Sequence, residues 1–161
     1  LGTVNNKNSK FYKNCIKAFK DTDYDVIMSV GKETDIKSLG DIPSNFIIRN
    51  TVEQIKVLQE TDVFITHCGM NSVNESLYYE VPMVLFPQHS EQRMVAERVE
   101  SLGAGVMLKR DKAEYIKDTV IKIINNDKYK ENAKIIAKSF HNSGGSKRAA
   151  DAILEIIDKN K

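Results

Sequence analysis

The stretch from Asp62 to Ser72, DVFITHCGMNS, constrains this chain more than any other. Val63, Phe64 and Ile65 make a short apolar run between polar residues, which reads as a buried strand. His67-Cys68-Gly69-Met70-Asn71-Ser72 breaks that run with a glycine-containing turn. Asn71 and Ser72 favour helix starts, and SVNESLYY continues at helical spacing. A strand, a turn and a helix N-terminus in that order gather backbone N–H groups and the positive end of a helix dipole at one point, where an anion is stabilised. His67 and Ser72 add side chains that donate to phosphate oxygens. Each residue also has a plainly structural explanation: Gly makes a turn, Ser caps a helix and His fills space. Together, between a strand and a helix, they point to a diphosphate cradle with the rest of the chain as its frame.

The flanking segments repeat the same alternation. Phe11, Cys15, Ile16 and Phe19 give an amphipathic helix from Ser9 to about Lys20. Tyr24 to Val30 is a β-rich run stopped by Gly31, and residues 32–45 read as a loop. Phe46-Ile47-Ile48 is a further strand, followed by a short helix from Val52 to Leu58. The central helix ends near Tyr79, and Pro82 to Phe86 has the continuous apolar character of a strand buried on both faces. Ser90 is placed to cap a helix that Gly103 ends, and Ala104 to Leu108 is a last strand. Asp111 and Glu114 have capping-box spacing before a helix to about Asn125. Two more helices fit residues 128–140 and 146–158, around Asn142-Ser143-Gly144-Gly145.

This order predicts an α/β fold with a Rossmann-like parallel sheet of about six strands and helices on both faces. Such sheets bind ligands at the carboxyl ends of their strands, where Thr66–His67, Phe86–Gln88 and Gly2–Thr3 would sit. At 161 residues, one domain is expected. The net charge of +2 leaves no footprint for nucleic acid. The apolar runs are too short for a membrane span. Two distant cysteines and no visible secretory signal fit a cytoplasmic protein with free thiols. Leu1-Gly2-Thr3-Val4 has no Met and reads as the tail of a strand, so a fragment of a longer protein is expected.

Other residues carry two meanings each. Glu75 sits early in the central helix, where a carboxylate matches the dipole, but it also suits a diol such as the two ribose hydroxyls of a nucleotide. Glu91 and Gln92 stand just after a strand end, where side-by-side donors and acceptors suit sugar hydroxyls. Thr3 after Gly2 can offer a hydroxyl to phosphate. Gly144-Gly145 could bind a second anion, though a flexible joint explains it more simply. There is no zinc spacing, no acidic metal cluster of the Asp-x-Asp kind and no P-loop.

THCGMNSVNESLYYEVPMVLFPQHSEQRMVAERVESLGAG, from Thr66 to Gly105, resembles the donor-binding signature of the UDP-glycosyltransferases, in their bacterial macrolide or antibiotic branch. Leu1-Gly2-Thr3, Val52-x-Gln54 and Gly144 to Asp151 match more weakly. The resemblance implies that residues 1–161 are the C-terminal half of a GT-B glycosyltransferase, a two-domain enzyme. It implies that Thr3, His67, Gly69, Asn71 and Ser72 hold the donor diphosphate and that Glu75 holds the ribose. Val52 and Gln54 would meet the uracil. Met70, Glu91 and Gln92 would meet the sugar, with Gln at 92 commoner among glucose users. The family's usual aromatic platform is replaced by Thr51, and Pro by Glu53, so either the stacking platform is missing or Arg49 supplies a flat cationic face to the uracil instead.

The resemblance further implies inverting, metal-independent transfer from a UDP-sugar to a small lipophilic or antibiotic-like acceptor, with no cofactor. His67 would stabilise the leaving diphosphate. The general base belongs to an N-terminal acceptor-binding domain, so no catalytic base is expected here and the chain should not transfer sugar alone. Alternatives are a subunit completed by a separate partner chain, an enzyme like the UDP-GlcNAc 2-epimerases, and a sugar-nucleotide sensor without catalysis.

Overall fold

Residues 8–159 are described in the computed structural model, so Thr3 and the expected strand tail at Leu1–Val4 lie outside the described residues. Helix α1 spans Ser9–Phe19, with Asn8 Oδ1 accepting from the Phe11 N–H at 3.1 Å. Its buried residues Phe11, Tyr12, Cys15, Ile16 and Phe19 are the stripe that the apolar spacing predicts. Strands β1 (Val26–Ser29) and β2 (Phe46–Arg49) pair in parallel, with Val26 opposite Phe46 and Ser29 opposite Arg49. A 3-10 turn, Ile36–Leu39, lies in the segment expected to be loop. Helix α2 (Gln54–Gln59) leads to β3 (Phe64–Thr66), α3 (Met70–Tyr78), β4 (Met83–Leu85), α4 (Ser90–Ser101) and β5 (Gly105–Met107). Helices α5 (Ala113–Ile124), α6 (Lys128–Asn142) and α7 (Gly145–Lys159) follow.

The second sheet is parallel in the order β3-β4-β5. In place of one sheet of about six strands, the described residues form five, divided between a two-stranded and a three-stranded sheet. Hydrogen bonding is the reason: β1 has its ladder with β2 alone, and β3 with β4 alone. Alternation along β4 separates two layers. Val84 belongs to a core shared with Phe11 and Ile16 of α1 and Ile116 and Val120 of α5. Met83 and Leu85 face a second core made by Val73 and Leu77 of α3, Ala96 and Val99 of α4, and Ala133 of α6. Helices therefore cover both faces of β4, and the βαβ units leave the turn after β3 and the turn after β4 on one edge. On the β1–β2 pair, by contrast, the opposed Ile27 and Ile47 are exposed. Helix α7 has no buried residue, and two left-handed glycines, Gly144 and Gly145, turn the chain into it.

Helix ends depart from expectation at two places. Ser90 is the first helical residue and His89 takes the cap position without a side-chain bond. The Gln92 side chain does the capping, reaching back to accept from the Gln88 N–H at 2.8 Å. Asp111 does not cap α5, because α1 holds it: its carbonyl accepts from Asn14 and its carboxylate lies 3.5 Å from Lys10. Helix α3 ends in a Schellman motif, with Glu80 N–H on Leu77 and Val81 N–H on the Ser76 carbonyl. The residue in the left-handed position is Glu80, at φ 62°, where a side chain is disfavoured. Glu80→Gly is expected to stabilise the chain by about 0.5–1 kcal/mol, read as a higher urea midpoint. An unchanged or lower midpoint would show that Glu80 makes a compensating contact.

Candidate functional site

The turn from β3 to α3 is built by one buried residue in an uncommon conformation. Cys68 has φ 68° and no exposure, and its N–H donates to Thr66 Oγ1 at 3.1 Å. Burial pushes its thiol up to about 12, so it serves as packing and not as a nucleophile. The left-handed step sends the chain into α3 with Gly69 at the cap position. Gly69 offers no capping side chain, and among the described residues none bonds the first turn, so the amide groups at the start of α3 are open to an acceptor.

His67 stands directly over that glycine. A Cβ built on Gly69 would lie 2.7 Å from His67 Nε2, so the bare glycine makes room for the ring. Burial above all holds the His67 imidazole below its ordinary pKa. The ring is thus neutral at pH 7 and has one N–H to donate.

Three predicted residues meet one another. Gln54 Nε2 donates to Glu75 Oε2 at 2.6 Å and to Ser72 Oγ at 3.2 Å. The residues assigned to base, ribose and phosphate are therefore joined by one amide, although Gln54 lies 21 residues from Glu75. Ser72 accepts that bond and keeps its hydroxyl proton to give. Asn71 and Met70 are exposed on the first turn of α3, and Glu91 is exposed on the first turn of α4. Gln92 is engaged on Gln88, so one of its amide groups, the NH₂, stays free.

Arg49 is not gathered in. Its Nη1 donates to the Ile48 carbonyl at 2.9 Å, and among the described residues no hydrogen bond joins it to Gln54 or Glu75. Val52 is half-buried before α2. Sequence reasoning missed a groove next to Glu75, a cavity of about 370 Å³ lined by Ile55, Asn74, Glu75, Tyr78, Tyr79 and Phe140. The helical spacing of Asn74, Glu75 and Tyr78 was the available signal, but the α2 and α6 walls come from far along the chain. Among the described residues no group of three or more His, Cys, Asp or Glu could hold a metal ion. No described helix is long and apolar enough to cross a membrane.

Comparison with known proteins gives the family. The family model described as UDP-glucoronosyl and UDP-glucosyl transferase matches residues 8–146. The UDP-glucosyltransferase YojK of Bacillus subtilis (strain 168) is 42% identical over 159 residues, 98% of this chain and 39% of that protein. The oleandomycin glycosyltransferase of Streptomyces antibioticus is 27% identical over 95% of this chain and 36% of its own length. The crystal structure of CalG4, the calicheamicin glycosyltransferase, superposes with a TM-score of 0.92 at 29% identity, over 99% of this chain and 42% of that one. The chain spans about two fifths of the length of the relatives it matches. Family match, identity and fold coincide: this chain belongs to the UDP-glycosyltransferases, alongside antibiotic glycosyltransferases, and its fold is that of one half of a GT-B enzyme.

Proposed function

We propose that this chain is the donor-binding, C-terminal half of an inverting, metal-independent UDP-sugar glycosyltransferase that acts on a small lipophilic or antibiotic-like acceptor. The observation that carries the reading is the Gln54 amide bonded to both Ser72 and Glu75, beside the uncapped amino end of α3. It lines up an anion site and a diol site along one helix. At 1.5 Å per residue, Asn71 and Glu75 are about 6 Å apart along the axis, the reach from a phosphate to its ribose hydroxyls.

In this reading the diphosphate sits on the α3 amides, with Ser72, Asn71 and His67 donating and Thr3 adding a hydroxyl. Glu75 takes the ribose hydroxyls with its remaining acceptor capacity. Val52 and the Gln54 carbonyl oxygen face the uracil. Met70, Glu91 and the free amide of Gln92 face the sugar. Cleavage of the anomeric C–O bond leaves negative charge on the diphosphate. The helix end and the His67 N–H are fixed in place before that charge develops, which is how preorganised dipoles lower a barrier. An acceptor-binding domain supplies the general base, so the chain alone binds donor without transferring sugar.

Calorimetry with UDP tests this. Binding is expected in EDTA, reduced about ten-fold or more in Glu75→Ala, which removes charge-assisted bonds. A bound diphosphate favours the imidazolium and raises the His67 pKa, so binding takes up a proton. Wild-type affinity should therefore gain on that of His67→Gln as pH falls from neutral through the ordinary histidine range. No heat with millimolar UDP, or equal affinity in wild type and Glu75→Ala, would overturn the reading.

A further inference from the structure

We infer that the turn from β5 into α5 is a capture surface for the anionic sugar nucleotide: Lys109, Arg110 and Lys112, with Lys10 of α1 beside them, draw it toward the turn after β3. The inference rests on the donor-binding reading and adds residues that have had no role so far.

Topology puts these cations on the right edge. Strands β3, β4 and β5 run parallel, with Thr66 opposite Leu85 and Leu85 opposite Met107. His67 follows Thr66 directly and Lys109 comes two residues after Met107, so both leave the sheet at its carboxyl edge. Two strand spacings of about 4.8 Å separate these exits, which makes about 10 Å. Helix α1 starts on the same corner, because the Asp111 carbonyl accepts from Asn14 and the Asp111 carboxylate lies 3.5 Å from Lys10. Lys109, Arg110 and Lys112 are exposed, and among the described residues no ion pair joins any of them to a carboxylate.

The charge stands there against local preference. Lys112 takes the cap position of α5 with no side-chain cap bond, so three cations in four residues precede the positive end of a helix dipole. Ser, Thr, Asp or Asn would satisfy that position, and lysine does not. Natural chains break such local rules at functional sites. Arg110 is held over the Tyr115 ring, 5.4 Å from its centroid. The corner sets four cations against the carboxylates of Asp111 and Glu114, an excess equal to the net charge of +2 of the whole chain. At about 0.1 M ionic strength the Debye length is about 10 Å, so the field of this corner reaches a phosphate arriving at α3. Fields of this kind raise association rates by about 10-fold to 1,000-fold. The cations stand two strands away from the proposed diphosphate position, so their effect falls on arrival more than on release.

The test is NMR line-shape analysis of UDP titrated into the whole 161-residue chain, which gives Kd and koff and hence kon. At about 0.1 M ionic strength, the combined variant Lys109→Gln, Arg110→Gln, Lys112→Gln should lower kon about ten-fold and leave koff within about two-fold. At about 1 M, where the Debye length is about 3 Å, variant and wild type should associate at the same rate. Lys128→Gln, Lys130→Gln, Lys134→Gln together remove the same charge from α6, whose Asn132 donates to the Gly103 carbonyl two residues before β5, at the opposite edge of the sheet. That control should change kon by less than about two-fold. Equal kon in wild type and the first variant, an equal drop in the α6 control, or a loss carried by koff would each overturn capture and leave the donor site standing. Absence of UDP binding by the wild-type chain would remove the donor-binding reading and this inference with it.

Discussion

In a Gly69→Ala chain, UDP affinity should fall at least about ten-fold while the urea midpoint hardly moves. Gly69 has φ −63° and ψ 136°, a conformation open to alanine, so the backbone imposes no strain. At a cap position Gly and Ala differ by under about 1 kcal/mol. The new methyl group would, however, lie 2.7 Å from His67 Nε2 and 3.1 Å from Cε1. The imidazole must turn away, and on the donor-binding reading its N–H would leave the diphosphate. A charge-assisted hydrogen bond is worth about 1.5–3 kcal/mol, which sets the size of the loss. Calorimetry and denaturation on the same sample separate the two effects. A variant that binds UDP as well as wild type would show that His67 does not touch the ligand. One that unfolds early would show that Gly69 serves the fold.

Leu85→Ala should do the reverse and destabilise the chain by about 3 kcal/mol. Leu85 is the last residue of β4, has no exposure, and packs among Val73, Leu77, Val99 and Ala104. Its δ-carbon also comes within 3.1 Å of where a Cβ on Gly105 would be, so the strand beside it has been left bare to fit it. A layer that close cannot collapse to fill the space, and large-to-small changes at such sites fall in the range of about 2–5 kcal/mol. For a chain of this size the melting temperature should drop by roughly 10 °C. Ile47→Ala on the exposed face of β2 is the control, expected near zero. A loss under about 1 kcal/mol at Leu85 would mean that the two helical layers over β4 close on each other.

Local chemistry explains what could be read in advance. Period-3.6 spacing located α1 to within a residue of its end, because Phe11, Cys15, Ile16 and Phe19 have a core to face. The apolar run at Met83–Leu85 announced a strand covered on both sides. The turn after β3 was legible as a turn for the same reason: a glycine two residues after a histidine, between an apolar run and a helical pattern, has a local logic. What was hidden depends on distant partners. Asp111 has the right spacing for a cap, but Lys10 and Asn14 compete for it from the other end of the chain. Glu80 and Cys68 adopt left-handed backbone that glycine would have advertised. The joining of Gln54 to Glu75, and the groove closed by Phe140, exist only once α2, α3 and α6 are assembled.

That amide clamp bears on how quickly the proposed donor site would fill. Gln54 and Glu75 surrender their rotamer freedom when the chain folds, so a nucleotide bound as proposed would find the carboxylate already aimed. Little ordering is left for the encounter itself. Association should then be limited by diffusion and orientation, and differences among sugar nucleotides should emerge in how long each one stays.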